Sequence, residues 1–188
     1  MWDEKQMEEY LKRNLKESRY LHSLSVRDTA EYLAQKYDSD INKARIAGLV
    51  HDCAKNMSDK ELIRICKKEG YSIDEICESS PQLLHGYVGS IIAHDKMGIN
   101  DEDILNAIAY HTTGRKHMSL LEKIIYIADY IEPFRIFPGV QLLRETTERN
   151  LEEALLLSFD NTIKFVISKG GLIHKDTIEA RNFVISQK

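Results

Sequence analysis

The 188-residue chain is 43% apolar and 30% charged, with 9 Gly and 3 Pro, which excludes collagen-like, Pro-rich and disordered classes and predicts a globular protein with its own core. Its formal net charge is −4 and it has no block of Lys or Arg, which excludes non-specific binding of duplex nucleic acid but leaves room for a local phosphate pocket. No apolar run approaches the ~18–20 residues of a membrane span, MWDEKQMEEY does not read as a signal peptide, and Cys53, Cys66 and Cys77 form no C-x-x-C pair, so a cytoplasmic protein with reduced thiols is expected.

Helical periodicity runs through nearly the whole chain, and no two-residue alternation is sustained. Helices are predicted over about 3–16, 20–37, 42–52, 59–69, 81–97, 101–111, 120–131, 141–169 and 177–186. Trp2, Tyr10, Leu11 and Leu15 form a packing stripe on the first. Ser58 with Glu61, Ser119 with Glu122, and Asp176 with Glu179 read as capping boxes. Ser80-Pro81 reads as another start, with Pro at the first helical position. Gly70, Gly98 and Gly170-Gly171 read as C-terminal stops. The segments TTGRKH after His111 and PFRIFPG over 133–139 are the clearest loops. The fold expected is one all-α domain over 1–188, a helical bundle with a core of about 18–135 and the helices of 141–188 packed on it as an appendage.

Four of the seven histidines, His22, His51, His85 and His111, follow or interrupt apolar helical stretches. One such residue is ordinarily a satisfied core or surface histidine; four in one small domain each need a partner. Asp129 lies in KIIYIADYIEP, on the face of Ile125 and Tyr126, with no Lys or Arg three or four residues away. A buried carboxylate pairs with a cation, either a metal or a distant Arg. His51-Asp52 puts two further ligands side by side. Imidazole and carboxylate without thiolate suit Mn, Fe, Co, Ni or Zn rather than Ca. The dipeptide alone is weak evidence, because His94-Asp95 repeats it. His94 lies nine residues after His85, a rotation of about 180°, so it is read as a solvated decoy. Lys55, four residues after His51, and Arg19, three before His22, are spaced to hold phosphate oxygens beside a metal or, equally, to make surface salt bridges.

The ordered set His22, His51-Asp52 and Asp129 resembles the HD superfamily of metal-dependent phosphohydrolases, and the Lys of HDCAK continues the match. RYLHSLSVRDTA, AGLVHDCAKNMS, LLHGYVG, AIAYHTTGR, KIIYIADYIEP and GGLIHKDTIEARN are similar to one branch, the bacterial YqeK-type symmetrical diadenosine tetraphosphatases, from about residue 18 to 182. The resemblance implies an HD-domain helical bundle with an iron site that can become dinuclear, Mn, Co or Zn being substitutes. It implies that His22, His51, Asp52 and Asp129 hold the metal. His85 and His111 would be second-metal ligands or phosphate contacts, and either could protonate the leaving group. Arg19, Lys55, Thr112, His117 and Arg135 would hold phosphates or ribose, with Lys55 also offsetting charge during catalysis. Leu172, Ile173, His174 and Thr177 would close over a nucleoside. It implies a dinucleoside polyphosphate as substrate and leaves a homodimer open. The same residues have plainer readings: His117 as a solvated loop residue, His174 as a cap, Cys53 as a small buried thiol.

Three functions compete. One is symmetrical hydrolysis of dinucleoside tetraphosphates to two nucleoside diphosphates. The second is another HD-type nucleotidase or deoxynucleoside triphosphate phosphohydrolase. The third is a non-catalytic nucleotide-binding module, against which several convergent imidazoles argue. A P-loop is absent from the sequence.

Overall fold

Capping chemistry sets most of the helix starts. The computed structural model describes residues 1–187. Its helices are α1 (Glu4–Asn14), α2 (Glu17–Lys36), α3 (Ile41–Val50), α4 (Asp59–Lys68), α5 (Glu75–Ser79), a 3-10 turn (Pro81–Leu84), α6 (His85–Asp95), α7 (Glu102–Tyr110), α8 (Leu120–Ile131), α9 (Val140–Arg149), α10 (Leu151–Ser168) and α11 (Lys175–Ser186), with no strand among the described residues. Ser58–Glu61 and Ser119–Glu122 are reciprocal boxes as expected, and Asp3–Gln6 is a third.

Four expectations about helix boundaries need correction. The helix expected over 141–169 is two helices. Asn150 is extended between them, and its side chain accepts from the amides of Glu152 and Glu153 at 2.9 and 3.1 Å. The apolar period continues across this break, so periodicity alone did not reveal it. The helix expected over 42–52 stops at Val50, and the chain continues in tight turns through Lys55 and Met57. Ser80-Pro81 opens a 3-10 turn, with α6 beginning only at His85, and the short α5 before it was not foreseen. The last helix is capped by His174, whose Nδ1 accepts from the Asp176 amide at 3.3 Å, rather than by Asp176 with Glu179.

Helix α8 is the centre of the bundle. Ile124, Ile125, Tyr126, Ile127 and Ala128 are all fully buried, so α8 is apolar on every side over this stretch. It packs on α2, α3, α7, α9 and α10. Helix α10 therefore joins the core through α8, and α11 packs on α10; the C-terminal helices wall one side of the bundle and are no appendage.

Two glycines let helices come close where the histidines sit. A Cβ on Gly48 would lie 3.0 Å from the Arg27 Cα, which brings α3 against α2. A Cβ on Gly86 would lie 2.6 Å from the Ala109 carbonyl oxygen, so α6 crosses α7 on a bare backbone. His85 and His111 flank that second crossing. Gly86→Ala is expected to push the helices apart and cost about 1–3 kcal/mol by overpacking, read from the urea midpoint of unfolding.

Candidate metal centre

Three histidines stand at helix ends and spend their ring protons there. His51 and His111 are the C-terminal caps of α3 and α7, and His85 caps the 3-10 turn. The last carbonyls of a helix lack intrahelical partners. The Nδ1–H of His51 donates to the Gly48 carbonyl and that of His111 to the Ile108 carbonyl, each at 2.7 Å. His85 donates to the Gln82 carbonyl in the same way. His22 lies inside α2, with its Nδ1 3.0 Å from the Glu132 carboxylate. A neutral ring whose proton is on Nδ1 presents a lone pair at Nε2. All four Nε2 atoms face one buried space.

Asp52 occupies the middle of that space. Its Oδ2 lies 3.8 Å from His22 Nε2, 3.6 Å from His51 Nε2 and 2.7 Å from Arg19. Its Oδ1 lies 3.0 Å from His85 Nε2 and 3.4 Å from His111 Nε2. Asp129 Oδ1 is 2.9 Å from His22 Nε2 and 3.9 Å from His51 Nε2. His85 and His111 bring their Nε2 atoms to 3.1 Å. Despite these short separations, His22 Nε2, His51 Nε2 and Asp52 Oδ1 are buried polar atoms without a hydrogen bond. Atoms packed this closely repel unless a shared proton or a metal cation sits among them.

Electrostatics prepare the same state. Burial pushes the His51 imidazole down to about 3, against the nearby Asp52 charge, and also lowers His85. Burial alone would raise the Asp52 carboxyl, but His51, His111 and His85 hold it well below the carboxylate range. Asp129 is likewise raised by burial and held well below by His22 and Arg135. Neutral imidazoles and ionised carboxylates are the forms that bind metal. The groups His22, His51, Asp129 and His51, Asp52, His111 each bring ligand atoms within 4.8 Å of one another, and this donor set fits a divalent transition metal. A third group, Asp74, Cys77 and His174, does not fit one. His174 Nδ1 accepts from the Asp176 amide, Asp74 caps α5, and burial pushes the Cys77 thiol up to about 12.

The centre opens into a cleft of about 650 Å³. Arg19, Lys55, His111, Thr112, Asp129, Arg135, Leu172, Ile173, His174 and Thr177, all expected site residues, line it together with Asp52. His22, His51 and His85 are buried behind that wall. Lys55 reaches His85 Nε2 at 3.3 Å, and burial lowers its ammonium. Arg135 binds the Asp129 carboxylate, six residues upstream, and its Nε donates to the Asp129 carbonyl at 2.7 Å. The distant-Arg alternative for Asp129 is thus realised alongside its contact with His22. Thr177 commits its hydroxyl to the Thr113 carbonyl at 2.9 Å. His117 lies elsewhere: it has φ 58°, its ring packs at a tilt against Phe183 with centroids 4.2 Å apart, and it does not line the cleft. His94 is half exposed and bonds only its neighbour Asp95 at 2.8 Å. Cys53 is buried, with its thiol pushed up to about 12 by burial.

Sequence reasoning missed Glu132, Tyr130 and Phe137, and the α10 residues Asn161, Thr162, Lys164 and Phe165, which form the far wall. Glu132 and Tyr130 stood in the IADYIEP motif without a role. The α10 residues were hidden by treating that helix as an appendage.

Residues 19–133 match the HD domain family. The chain is 42% identical over 176 residues to the symmetrical bis(5'-nucleosyl)-tetraphosphatase of Bacillus subtilis, covering 94% of each chain. It is also 42% identical to the protein of the same name from Halalkalibacterium halodurans, covering 95% of each. A crystal structure from Clostridium acetobutylicum, described as a predicted HD superfamily hydrolase involved in NAD metabolism, aligns over the full length of both chains with a TM-score of 0.98 and 58% identity.

A divalent metal at about a hundred times its Kd is expected to stabilise the fold by about 2.7 kcal/mol, seen as a rise in Tm. Asp52→Asn, which keeps the shape and removes the charge, is expected to abolish that rise. An equal rise in both proteins would place the metal elsewhere.

Proposed function

The chain belongs to the HD domain family, and on that premise we propose that it is a metal-dependent hydrolase that splits dinucleoside tetraphosphates symmetrically into two nucleoside diphosphates. The observation that carries this reading is the buried cluster of ring nitrogens and carboxylate oxygens, three of them without a hydrogen bond, at the floor of a cleft whose mouth is cationic. A scaffold has no use for such a cluster. The relatives' shared name favours the tetraphosphatase over other HD-type nucleotidases.

His22, His51, Asp52 and Asp129 would hold the metal, and Asp52 with His85 and His111 would offer a second position. Iron is the proposed metal, with Mn, Co or Zn as substitutes, and the proposed compartment is the cytoplasm; no helix among the described residues is long and apolar enough to cross a membrane. When bound, a divalent metal polarises a phosphoryl oxygen and acidifies water.

The protein's own groups do the rest. Arg19 and Arg135 each use part of their fork on a carboxylate and keep further N–H donors for phosphate oxygens. Lys55 offsets charge that develops on the phosphate chain as the anhydride bond breaks. The Thr112 hydroxyl, 3.2 Å from His111 Nε2 and 3.3 Å from His85 Nε2, can orient a proton between ring and phosphate. A diphosphate is a good leaving group, so His85 or His111 needs only to assist it. Leu172, Ile173 and His174 would cover one nucleoside, with Tyr130, Phe137 and Phe165 as aromatic faces in the same cleft. A nucleoside held there would bring its second phosphate towards the residues that would hold the metal, which favours central cleavage.

Hydrolysis in heavy-oxygen water is the test. The label is expected in the nucleoside diphosphate alone; nucleoside monophosphate and triphosphate as primary products would defeat the reading. His85→Ala is expected to cut kcat/KM at least tenfold, about 1.4 kcal/mol of transition-state stabilisation. His94→Ala, altering the exposed copy of the dipeptide, is expected to leave it within twofold.

A further inference from the structure

Of the four site histidines, His22 is the one whose ring cannot find a helix-end carbonyl. It sits inside α2, where the carbonyls one turn back already accept helical amides. A partner must therefore come from elsewhere in the chain, and Glu132 supplies it. Glu132 is 1% exposed and caps the C-terminus of α8. Its Oε1 accepts from His22 Nδ1 at 3.0 Å, and its Oε2 accepts from the Phe134 amide at 2.7 Å. Its backbone carbonyl accepts from the Arg135 amide at 2.9 Å and from the Arg144 guanidinium at 2.9 Å. Arg144 also holds the carbonyls of Ile131 and Arg135 at 2.9 and 3.1 Å.

We infer that Glu132 is a positioning residue with two tasks: one oxygen fixes the His22 tautomer that aims Nε2 at the metal cluster, and the other pins the loop that sets Arg135 beside Asp129. The inference rests on the metal reading of the site and is independent of the substrate. Both side-chain partners are N–H donors, so the position requires two acceptor oxygens. A carboxylate has them, whereas an amide of the same shape has one oxygen and one N–H₂. In Glu132→Gln one N–H must face another. If the amide nitrogen faces His22, the ring proton moves to Nε2 and the lone pair is lost from the cluster. If it faces Phe134, the loop is released. Carboxylates behind metal-bound histidines act in this way generally, and their loss costs about tenfold to a hundredfold in metal affinity.

The test uses the full-length chain and no nucleotide, so its failure leaves the hydrolase reading standing and is told apart from failure of that reading. Proton–nitrogen NMR of ring-labelled histidine, on metal-stripped and zinc-loaded protein, is expected to show the His22 proton on Nδ1 in both. Finding it on Nε2 in the unaltered chain overturns the inference, and this measurement decides the matter even where the variant fails to fold. Zinc titration of Glu132→Gln is expected to give a Kd tenfold or more weaker than the parent. Hydrogen exchange at the Phe134 amide is expected to accelerate at least tenfold in the same variant. Zinc affinity and Phe134 exchange both within twofold of the parent would show that the two oxygens position nothing.

Discussion

The active centre depends on where four ring protons go. Each buried imidazole has one proton in its neutral form; three spend it on a helix-end carbonyl away from the cluster, and the fourth has the Glu132 carboxylate on that side. The consequence follows from electrostatics alone. Four Nε2 atoms and two carboxylates then converge on one buried space, and His22 Nε2, His51 Nε2 and Asp52 Oδ1 are left without a hydrogen bond. Arg19, Lys55 and Arg135 meet the atoms at the rim, and a metal cation would relieve those left in the middle. The centre is thus specified less by the ligands themselves than by the carbonyls and the carboxylate behind them.

The bundle supplies those carbonyls by turning helix ends inward. Helices α3 and α7 finish at His51 and His111, and Asp129 stands two residues before the end of α8. A helix C-terminus carries partial negative charge, so converging ends favour a cation between them even before any side chain is counted. The same geometry explains why α8 must be apolar all round. It runs through the middle of the bundle to deliver Asp129, and every other face of it meets a neighbouring helix. Gly48 and Gly86 complete the arrangement by letting α2, α3, α6 and α7 approach without side chains between them.

Much of this was legible in the sequence because the chemistry is unusual at those positions. Histidines at the ends of apolar runs, and an aspartate inside KIIYIADYIEP, stand out against a core built mostly of Leu, Ile, Val and Ala. The capping boxes at Ser58 and Ser119 were legible because their signal is local. The break at Asn150 was not, because the apolar stripe continues past it and only the backbone turns. The far wall of the cleft was illegible for a different reason. Asn161, Thr162 and Lys164 are ordinary polar residues on a helix, and only the packing of α10 on α8 turns them towards the site. His117 lies away from the cleft. The resemblance implied a phosphate contact for it, but the residue has a left-handed backbone and its ring packs against Phe183.

The two His-Asp pairs make the physical point most directly. Both sit at the end of a helix, and both have the same two side chains. In His94-Asp95 the ring bonds its own neighbour's carboxylate, at 2.8 Å, in a half-exposed position. Water solvates whatever remains, so the pair needs no third partner. In His51-Asp52 the ring turns back onto the Gly48 carbonyl instead, which frees both its Nε2 and the whole Asp52 carboxylate. Burial then removes water as a partner, and the freed atoms must be met by Arg19, by other imidazoles or by a metal. The dipeptide becomes a metal-binding element through the backbone carbonyl three residues upstream and the absence of solvent. Neither of these is written in the two letters themselves.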